Sequence, residues 1–136
     1  MSQEHVEAVQ RAAEAWNADD LDAFLAELDA DVEWHPSLEP RLEGEATFFR
    51  GHDGARKAWR EYRGEAWERL TVRPQEIRDL GESVLALGQM DLIARATGIA
   101  FTQEVGQLIE FREGKAVRVR DFLSHAEALE AAGLSE

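Results

Sequence analysis

Hydrophobic residues alternate with polar ones through most of residues 82–123, and this pattern is typical of β-strands. The stretch predicts three consecutive strands, with the sequences ESVLALGQMDLIARA, GIAFTQEVGQLIEF and GKAVRVRDFL. The turns between them fall at residues 97–98 and 113–114, where a glycine tolerates the positive φ that tight turns require. We therefore expect an antiparallel meander.

The rest of the chain predicts helices and two further strands. Apolar residues at helical spacing predict helices over residues 4–17, 20–29 and 53–66, and a capping pattern at Ser124 predicts a last short helix that Gly133 ends. Alternation predicts a short strand over residues 31–36 and a longer one over 68–80. Residues 37–51 are predicted to form a loop. Because there is no repeat, linker or shift in composition, residues 1–136 are expected to form one domain.

Two aspartates fall on the apolar faces of two strands of the meander. In the last strand the odd positions are apolar except for Asp121, while the even positions from Ala116 to Phe122 carry two arginines. In the first strand the odd positions from 85 to 93 are apolar except for Gln89 and Asp91. Burying a carboxylate costs free energy unless a partner satisfies it. We therefore predict that Asp91, Asp121, Gln89 and Gln103 converge in one cavity.

Two carboxyl groups in an apolar cavity are suited to acid–base catalysis, because their interaction raises one pKa and leaves an acid beside a base at neutral pH. Asp121, Asp91 and Gln89 are thus candidate catalytic residues. The alternative is that each aspartate is structural, hydrogen-bonded to a polar group of the cavity or paired with Arg95 or Arg118 at its rim.

Composition narrows the classes of partner. The chain has 136 residues, a hydrophobic fraction of 44% and a formal net charge of −13, so we expect a folded domain that binds neither nucleic acid nor an anionic membrane surface. It has no cysteine, no pattern of a signal peptide and no apolar run long enough to cross a membrane. These features predict a cytoplasmic protein.

The whole arrangement resembles a known family. The segments that carry the resemblance are ADDLDAFLAELDADVEWHP, FRGHDGARKAWREY and EGKAVRVRDFLSHAEAL. They resemble the SnoaL-like branch of the nuclear transport factor 2-like (NTF2-like) superfamily. The resemblance implies an α+β fold, in which a curved mixed or antiparallel sheet wraps around N-terminal helices as a cone-shaped barrel with an internal pocket. Members include isomerases, hydrolases, cyclases, dehydratases and binding modules, and many are dimers.

Within that superfamily, the aspartates are similar to those of the limonene epoxide hydrolases. Those enzymes use two aspartates that flank an arginine, one to activate water and one to protonate the epoxide. Asp91 and Asp121 match the two aspartates, and Gln89 stands in place of the arginine. The water-holding Tyr and Asn of that family fall near Val32 and Trp34 and are not matched.

Steroid isomerases give a weaker resemblance, which brings in His35. Their catalytic aspartate precedes a proline, and here His35 precedes Pro36. An imidazole in that place is a candidate base. Strict alternation from an inward Trp34 instead points His35 outward, where it would cap the following loop. The four histidines have no metal-site spacing such as H-x-x-x-H, so we expect neither a metal nor another cofactor.

Aromatic side chains are the candidate walls of the pocket. Each one alone is more often ordinary core, but four tryptophans in so small a domain favour a cavity for an apolar molecule. The candidate substrate-binding aromatics are Trp16, Phe24, Trp34, Phe49, Trp59, Tyr62 and Phe101. Gln103 and Gln107 are candidate polar contacts in the same cavity, or else lie near a dimer interface.

The sequence therefore predicts a cofactor-free pocket protein that performs acid–base chemistry of the hydrolase, isomerase or cyclase type on a small apolar molecule. The alternative is a ligand-binding or dimerising module without catalysis. Opposite charges on neighbouring strands, such as Arg118 and Glu110, together with Leu108 and Phe122, also predict a homodimer through that face of the sheet.

Overall fold

The computed structural model describes residues 2–36 and 48–134, and this part of the chain forms four helices and six strands. The helices are α1 (Ser2–Asn17), α2 (Leu21–Ala26), α3 (Gly51–Arg63) and α4 (His125–Ala131). The strands are β1 (Leu28–His35), β2 (Phe49–Arg50), β3 (Trp67–Asp79), β4 (Ser83–Ala94), β5 (Ala100–Arg112) and β6 (Lys115–Phe122). This order confirms the predicted α+β class.

All six strands belong to one mixed sheet with the order β2-β1-β6-β5-β4-β3. Strands β3 to β6 form the predicted antiparallel meander, and β1 joins its far side by pairing parallel to β6. Gly98 and Gly114, in the two predicted turns, have φ values of 72° and 81°. Glycine is therefore the residue that these turns need.

The sheet has two covered faces, which we call inner and outer. The inner face packs against α1 and α3 and holds the main hydrophobic core, to which Trp16, Val84 and Ala86 belong. The outer face packs against α4, where Leu85 and Ala128 belong to a second cluster. Helix α4 lies very close to the sheet, since a Cβ built on Gly106 would stand 2.5 Å from the Cβ of Ala128.

Several predicted boundaries are wrong; for example, the helix predicted over 53–66 spans Gly51–Arg63. Helix α2 begins where expected, with the Asp20 side chain accepting a hydrogen bond from the Ala23 amide, but it ends at Ala26 instead of residue 29. Leu28 already belongs to β1 and pairs with Ala116 of β6, so burial in the sheet overrides the helical spacing. In the predicted loop of residues 37–51, Phe49 and Arg50 instead form β2 and Gly51 begins α3, while residues 37–47 lie outside the described residues.

The exposed edge of the sheet at β3 is held by the end of α1. The Trp16 indole Nε1 donates to the Leu70 carbonyl at 2.9 Å. The side-chain amide of Asn17 both donates to the Val72 carbonyl at 2.8 Å and accepts from the Val72 amide at 2.9 Å. Asn17 thus fills backbone hydrogen-bonding positions that a neighbouring strand would fill. No helix in the described ranges has the length and hydrophobicity needed to cross a bilayer.

Candidate functional site

A cavity of about 110 Å³ lies between α1 and the inner face of the sheet. Small residues of α1, Ala12 and Ala13, make room for it. Gly88 of β4 also lines it and allows β3 to approach, since a Cβ there would overlap the Arg73 carbonyl oxygen. Two of its wall residues on the edge strand β3, Arg73 and Pro74, are exposed, and we therefore place its mouth beside them. An apolar cavity of about 150 Å³ can admit benzene, so this one, at about three quarters of that volume, is suited to a small ring at most.

Asp121 is the one carboxyl group among the described residues that line this cavity, and three side chains hold it. Its Oδ2 accepts hydrogen bonds from the Trp34 indole Nε1 at 2.9 Å and from the Tyr62 hydroxyl at 2.9 Å. Its Oδ1 accepts one from the Gln107 amide Nε2 at 2.8 Å. A carboxylate can accept about four hydrogen bonds. These three protein donors therefore leave one acceptor position on Oδ1.

The three donors come from distant parts of the chain. Trp34 lies on β1, Tyr62 near the end of α3 and Gln107 on β5, directly opposite Asp121 in the β5–β6 register. The rings of Trp34 and Tyr62 stack with centroids 5.6 Å apart, which fixes both donors against Oδ2. The position of Asp121 is thus set by rigid elements and not by a loop.

Burial raises the pKa of the Asp121 carboxyl, because the surrounding protein disfavours its charged form. Hydrogen bonds from Trp34, Gln107 and Tyr62, and then the nearby charge of His35, act in the opposite direction and lower the pKa without cancelling the effect of burial. Part of Asp121 remains accessible. Because the residue lines the cavity, we attribute that exposure to the cavity rather than to bulk solvent.

The prediction that Asp91 and Gln89 share this cavity is wrong. Met90 packs against the inner core. Because side chains alternate along a strand, its neighbours Gln89 and Asp91 lie on the outer face. The Asp91 carboxylate forms a two-point ion pair with Arg73, with the Arg73 Nε 2.6 Å from Oδ2. Hydrogen bonding to Arg73 lowers the pKa of Asp91, which is the opposite of what a shared catalytic proton requires.

The error arises because β4 is apolar on both faces. Leu85 and Leu87, which indicated the cavity face, instead pack against α4 on the outer face. The cavity is lined from β4 mainly by the even positions Ala86, Gly88 and Met90, and Leu87 also contributes to its wall. When both faces of a strand are buried, apolar and polar residues no longer alternate along it, and the sequence cannot show which face is inward.

Of the predicted aromatic and glutamine residues, the described cavity wall includes Trp16, Phe24, Trp34, Tyr62 and Gln107. It does not include Trp59, which is buried beside Trp16, or the half-buried Phe49. Phe101 is 43% exposed and contacts Trp67 at the far end of the sheet.

The remaining two candidate polar residues also lie outside the wall. Gln103 shares the inner face but donates its side-chain amide to the Leu123 carbonyl at 2.9 Å. The ring of His35 stacks on Phe48, and its Nε2 lies 3.4 Å from a carboxylate oxygen of Glu33. His35 thus influences Asp121 through its charge rather than as part of the wall.

Sequence reasoning missed the apolar and small residues that give the cavity its room. Val9, Ala12 and Ala13 of α1 and Val105 of β5 line it. The regular spacing of small residues on the core face of α1 was the available signal. Within the described ranges, no group of three His, Asp or Glu side chains is close enough together to hold a metal ion.

Comparisons with known proteins point to one fold. The SnoaL-like domain matches residues 9–119. An NTF2-like protein of unknown function from Burkholderia pseudomallei K96243 is 25% identical, with a TM-score of 0.76, and the match covers 93% of this chain and 95% of that one. TerC, crystallised with polyporic acid, is 22% identical with a TM-score of 0.75, covering 93% and 96%.

A proposed polyketide cyclase from Xanthomonas campestris pv. campestris is also similar, at 23% identity and a TM-score of 0.74, with 93% and 94% covered. No curated protein matches the sequence. These similarities confirm the NTF2-like cone that the sequence predicted. At such identities they describe the fold and leave the chemistry to the residues of the site.

Proposed function

The chain belongs to the SnoaL-like domain family, and on that premise we propose that its cavity binds a small, mostly apolar molecule on which Asp121 performs acid–base chemistry without a cofactor. The observation that carries this proposal is the placement of a single buried carboxyl group, held by three donors, in the wall of an otherwise largely apolar cavity. Reaction types with one proton-transferring group, as in isomerases and cyclases, fit this site best.

The open acceptor position on Oδ1 defines what Asp121 can do to a ligand. When ionised, the carboxylate accepts a proton from an acidic C–H or O–H group placed there. When protonated, it donates that proton to a carbonyl or developing enolate oxygen. Because burial raises the pKa of Asp121, the proton is exchanged closer to neutral pH than by an exposed aspartate, and this favours general acid–base catalysis.

A mechanism with two aspartates is not supported, because Asp91 lies on the outer face and is paired with Arg73. One carboxyl group suffices for enolisation of a ketone, since the same group removes a proton from carbon and returns it elsewhere. The hydration or ring-opening route, which requires a second acid, is therefore the weaker version of the proposal.

The same three hydrogen bonds also favour a second candidate, a binding module without catalysis. Asp121 joins β6 to β1, α3 and β5 through Trp34, Tyr62 and Gln107. Linking four elements is by itself a structural role. In that case the open position on Oδ1 would only accept a hydrogen bond from the ligand.

Proton exchange distinguishes the two candidates without knowledge of the natural substrate. Cyclopentanone, cyclohexanone and cyclohexenone are incubated with the protein in D₂O, and loss of their α-proton signals is followed by NMR. An enzyme with Asp121 as base accelerates exchange, and Asp121→Asn lowers the rate by about 100-fold or more. Asp91→Asn is the matched control, since it changes a carboxylate on the outer face and leaves exchange unchanged.

Binding is measured in the same samples through the indole N–H signals of the tryptophans. Binding with no exchange in the wild-type protein supports the binding module and removes the catalytic assignment. Failure of all three ketones to bind the wild-type protein overturns the proposed function altogether.

A further inference from the structure

A second, smaller cavity of about 50 Å³ lies beside the first, deeper along α1. It is lined mainly by apolar residues, among them Leu28, Val32 and Val119. On the scale of an apolar cavity of about 150 Å³ that holds benzene, this volume corresponds to about two carbon atoms. Water gains few hydrogen-bonding partners in such surroundings, so apolar atoms are its natural occupants.

The space results from two features of this chain. Alanine occupies wall positions 8, 12 and 116, where larger residues would fill the void. The strand register also shifts twice beside it, between Leu28 and Glu33 of β1 and between Glu110 and Phe111 of β5. Ala116 was predicted to lie on the same face as Arg118 and Arg120. Because of the second shift, it instead faces the inner core.

The two cavities are parts of one region of the protein. They share six wall residues, and these form the partition between them: Val9, Ala12, Phe24, Trp34, Gln107 and Ile109. Gln107 is the polar member of the partition and donates its amide to the Oδ1 atom of Asp121. A ligand bound at Asp121 therefore contacts the same side chain that separates it from the second cavity.

An ion pair borders the other end of the second cavity. Glu27 lines it, and its carboxylate is held by a two-point ion pair with Arg11 of α1, at 2.9 Å and 3.0 Å. Glu27 is largely buried whereas Arg11 is largely exposed, so the pair lies at the surface end of the void. For a ligand bound at Asp121, a substituent reaches the second cavity from the side of the shared wall residues.

We infer that the second cavity is a subsite of the ligand site that accepts a methyl or ethyl branch of the bound molecule past the Gln107 partition. This inference rests on the proposed function, because it requires a ligand in the main cavity. The ligand class is a ring or short apolar body with one hydrogen-bonding oxygen for Asp121 and a short alkyl substituent. An empty void in a packed core forfeits dispersion contacts, which such a substituent restores.

Phenol and its methyl and ethyl derivatives at each ring position test the inference, with dissociation constants measured by NMR titration. One positional series is expected to tighten about fourfold for each added carbon, the value of one buried methylene. Ala8→Val fills a wall position of the second cavity and is expected to abolish this gain while phenol itself binds within about twofold of wild type.

Ala13→Val is the matched control, because it makes the same change on the same helix but on the wall of the main cavity. It is expected to weaken phenol and its derivatives alike. Ala116→Val repeats the filling from the sheet side if Ala8→Val does not fold. Xenon provides a probe independent of Asp121: it is expected in the second cavity of the wild-type protein and absent in the filled variants.

The outcomes separate the two proposals. Phenol binding without any gain from alkyl groups, or a gain that persists in both filled variants, overturns the subsite and leaves the proposed function standing. Absence of xenon from the second cavity overturns it too. If phenol and all its derivatives fail to bind the wild-type protein, the proposed ligand class fails, and the subsite falls with it.

Discussion

Replacing Asp121 by asparagine measures the free energy that the buried carboxyl group costs the fold. Asparagine keeps the shape of the side chain, and its Oδ1 can accept from both Trp34 and Tyr62 as Oδ2 does now. Its Nδ2 can donate to Gln107 once that amide turns over, because a glutamine presents either an oxygen or an NH₂ group. All three hydrogen bonds therefore survive, and the charge is removed.

The sign of the effect follows from the raised pKa of Asp121. An unfolded aspartate has a pKa near about 3.9, so between that value and the folded pKa the native state retains a proton that the unfolded state has released. The free energy of unfolding consequently falls as pH rises through this window. Each unit by which folding raises the pKa corresponds to about 1.4 kcal/mol.

The asparagine variant has no such titration. Its stability relative to wild type is expected to be near zero below about pH 4, to grow as pH rises and to level off above the folded pKa of Asp121. Asp121→Leu is the contrasting change, because it removes the carboxylate oxygen to which the buried Trp34 indole donates. A buried donor left without its acceptor costs about 1–3 kcal/mol, so the leucine variant is expected to be less stable than wild type at low pH.

Urea denaturation followed by tryptophan fluorescence, at a series of pH values between about 4 and 9, measures all three proteins. The difference between asparagine and wild type isolates position 121 from the other titrating groups. A difference that is independent of pH, or one that turns against asparagine as pH rises, would refute the reasoning. It would mean that the three hydrogen bonds outweigh burial and hold the pKa of Asp121 at or below its ordinary value.

Three further results are expected. Tyr62→Phe removes a donor that lowers the pKa of Asp121, so the pH dependence of ketone exchange should move to higher pH; a move to lower pH contradicts this. Asn17→Ala should destabilise the protein by about 1–2 kcal/mol and speed hydrogen exchange of the Val72 amide, whereas unchanged protection would show that the clamp contributes nothing. Light scattering at micromolar concentration should return twice the chain mass, because the outer face of the sheet is predicted to pair with a second copy; a monomer mass would disprove this.

The dimer prediction keeps only part of its original basis. The cross-strand ion pair is present within the chain, with Arg118 Nη1 3.5 Å from a Glu110 carboxylate oxygen. Of the apolar members, Leu108 is buried and Phe122 packs with the α4 cluster, so neither is free to attract a second copy. The other predicted members of this face are charged residues. One of them, Arg120, has a buried Nε with no hydrogen-bond partner among the described residues.

Asp121 was predictable because β6 differs on its two faces near that residue. Arginines at positions 118 and 120 identify the outer face, so Val119 and Asp121 must face inward. Strand β4 offers no such contrast. A short helix that follows β6 in sequence covers the outer face of β4, and local alternation contains no information about a partner so far along the chain.

The donors around Asp121 were beyond sequence reasoning for a related reason. Trp34 precedes Asp121 by 87 residues and Tyr62 precedes it by 59. They meet only because β1 pairs parallel to β6 and α3 packs against β1. Each was predicted as an apolar wall. Their role as hydrogen-bond donors depends on the orientation of one ring edge and one hydroxyl, which tertiary packing decides.

The hold of α1 on the edge strand restricts how a ligand can enter. Trp16 belongs to the cavity wall and also donates to the backbone of β3, and the neighbouring Asn17 clamps the same strand. Lifting α1 to admit a molecule would therefore bare the open edge of a long strand, a surface prone to intermolecular β-pairing. We expect ligands to enter and leave through the mouth at Arg73 and Pro74. Ligand exchange then leaves the edge of β3 covered and does not promote aggregation.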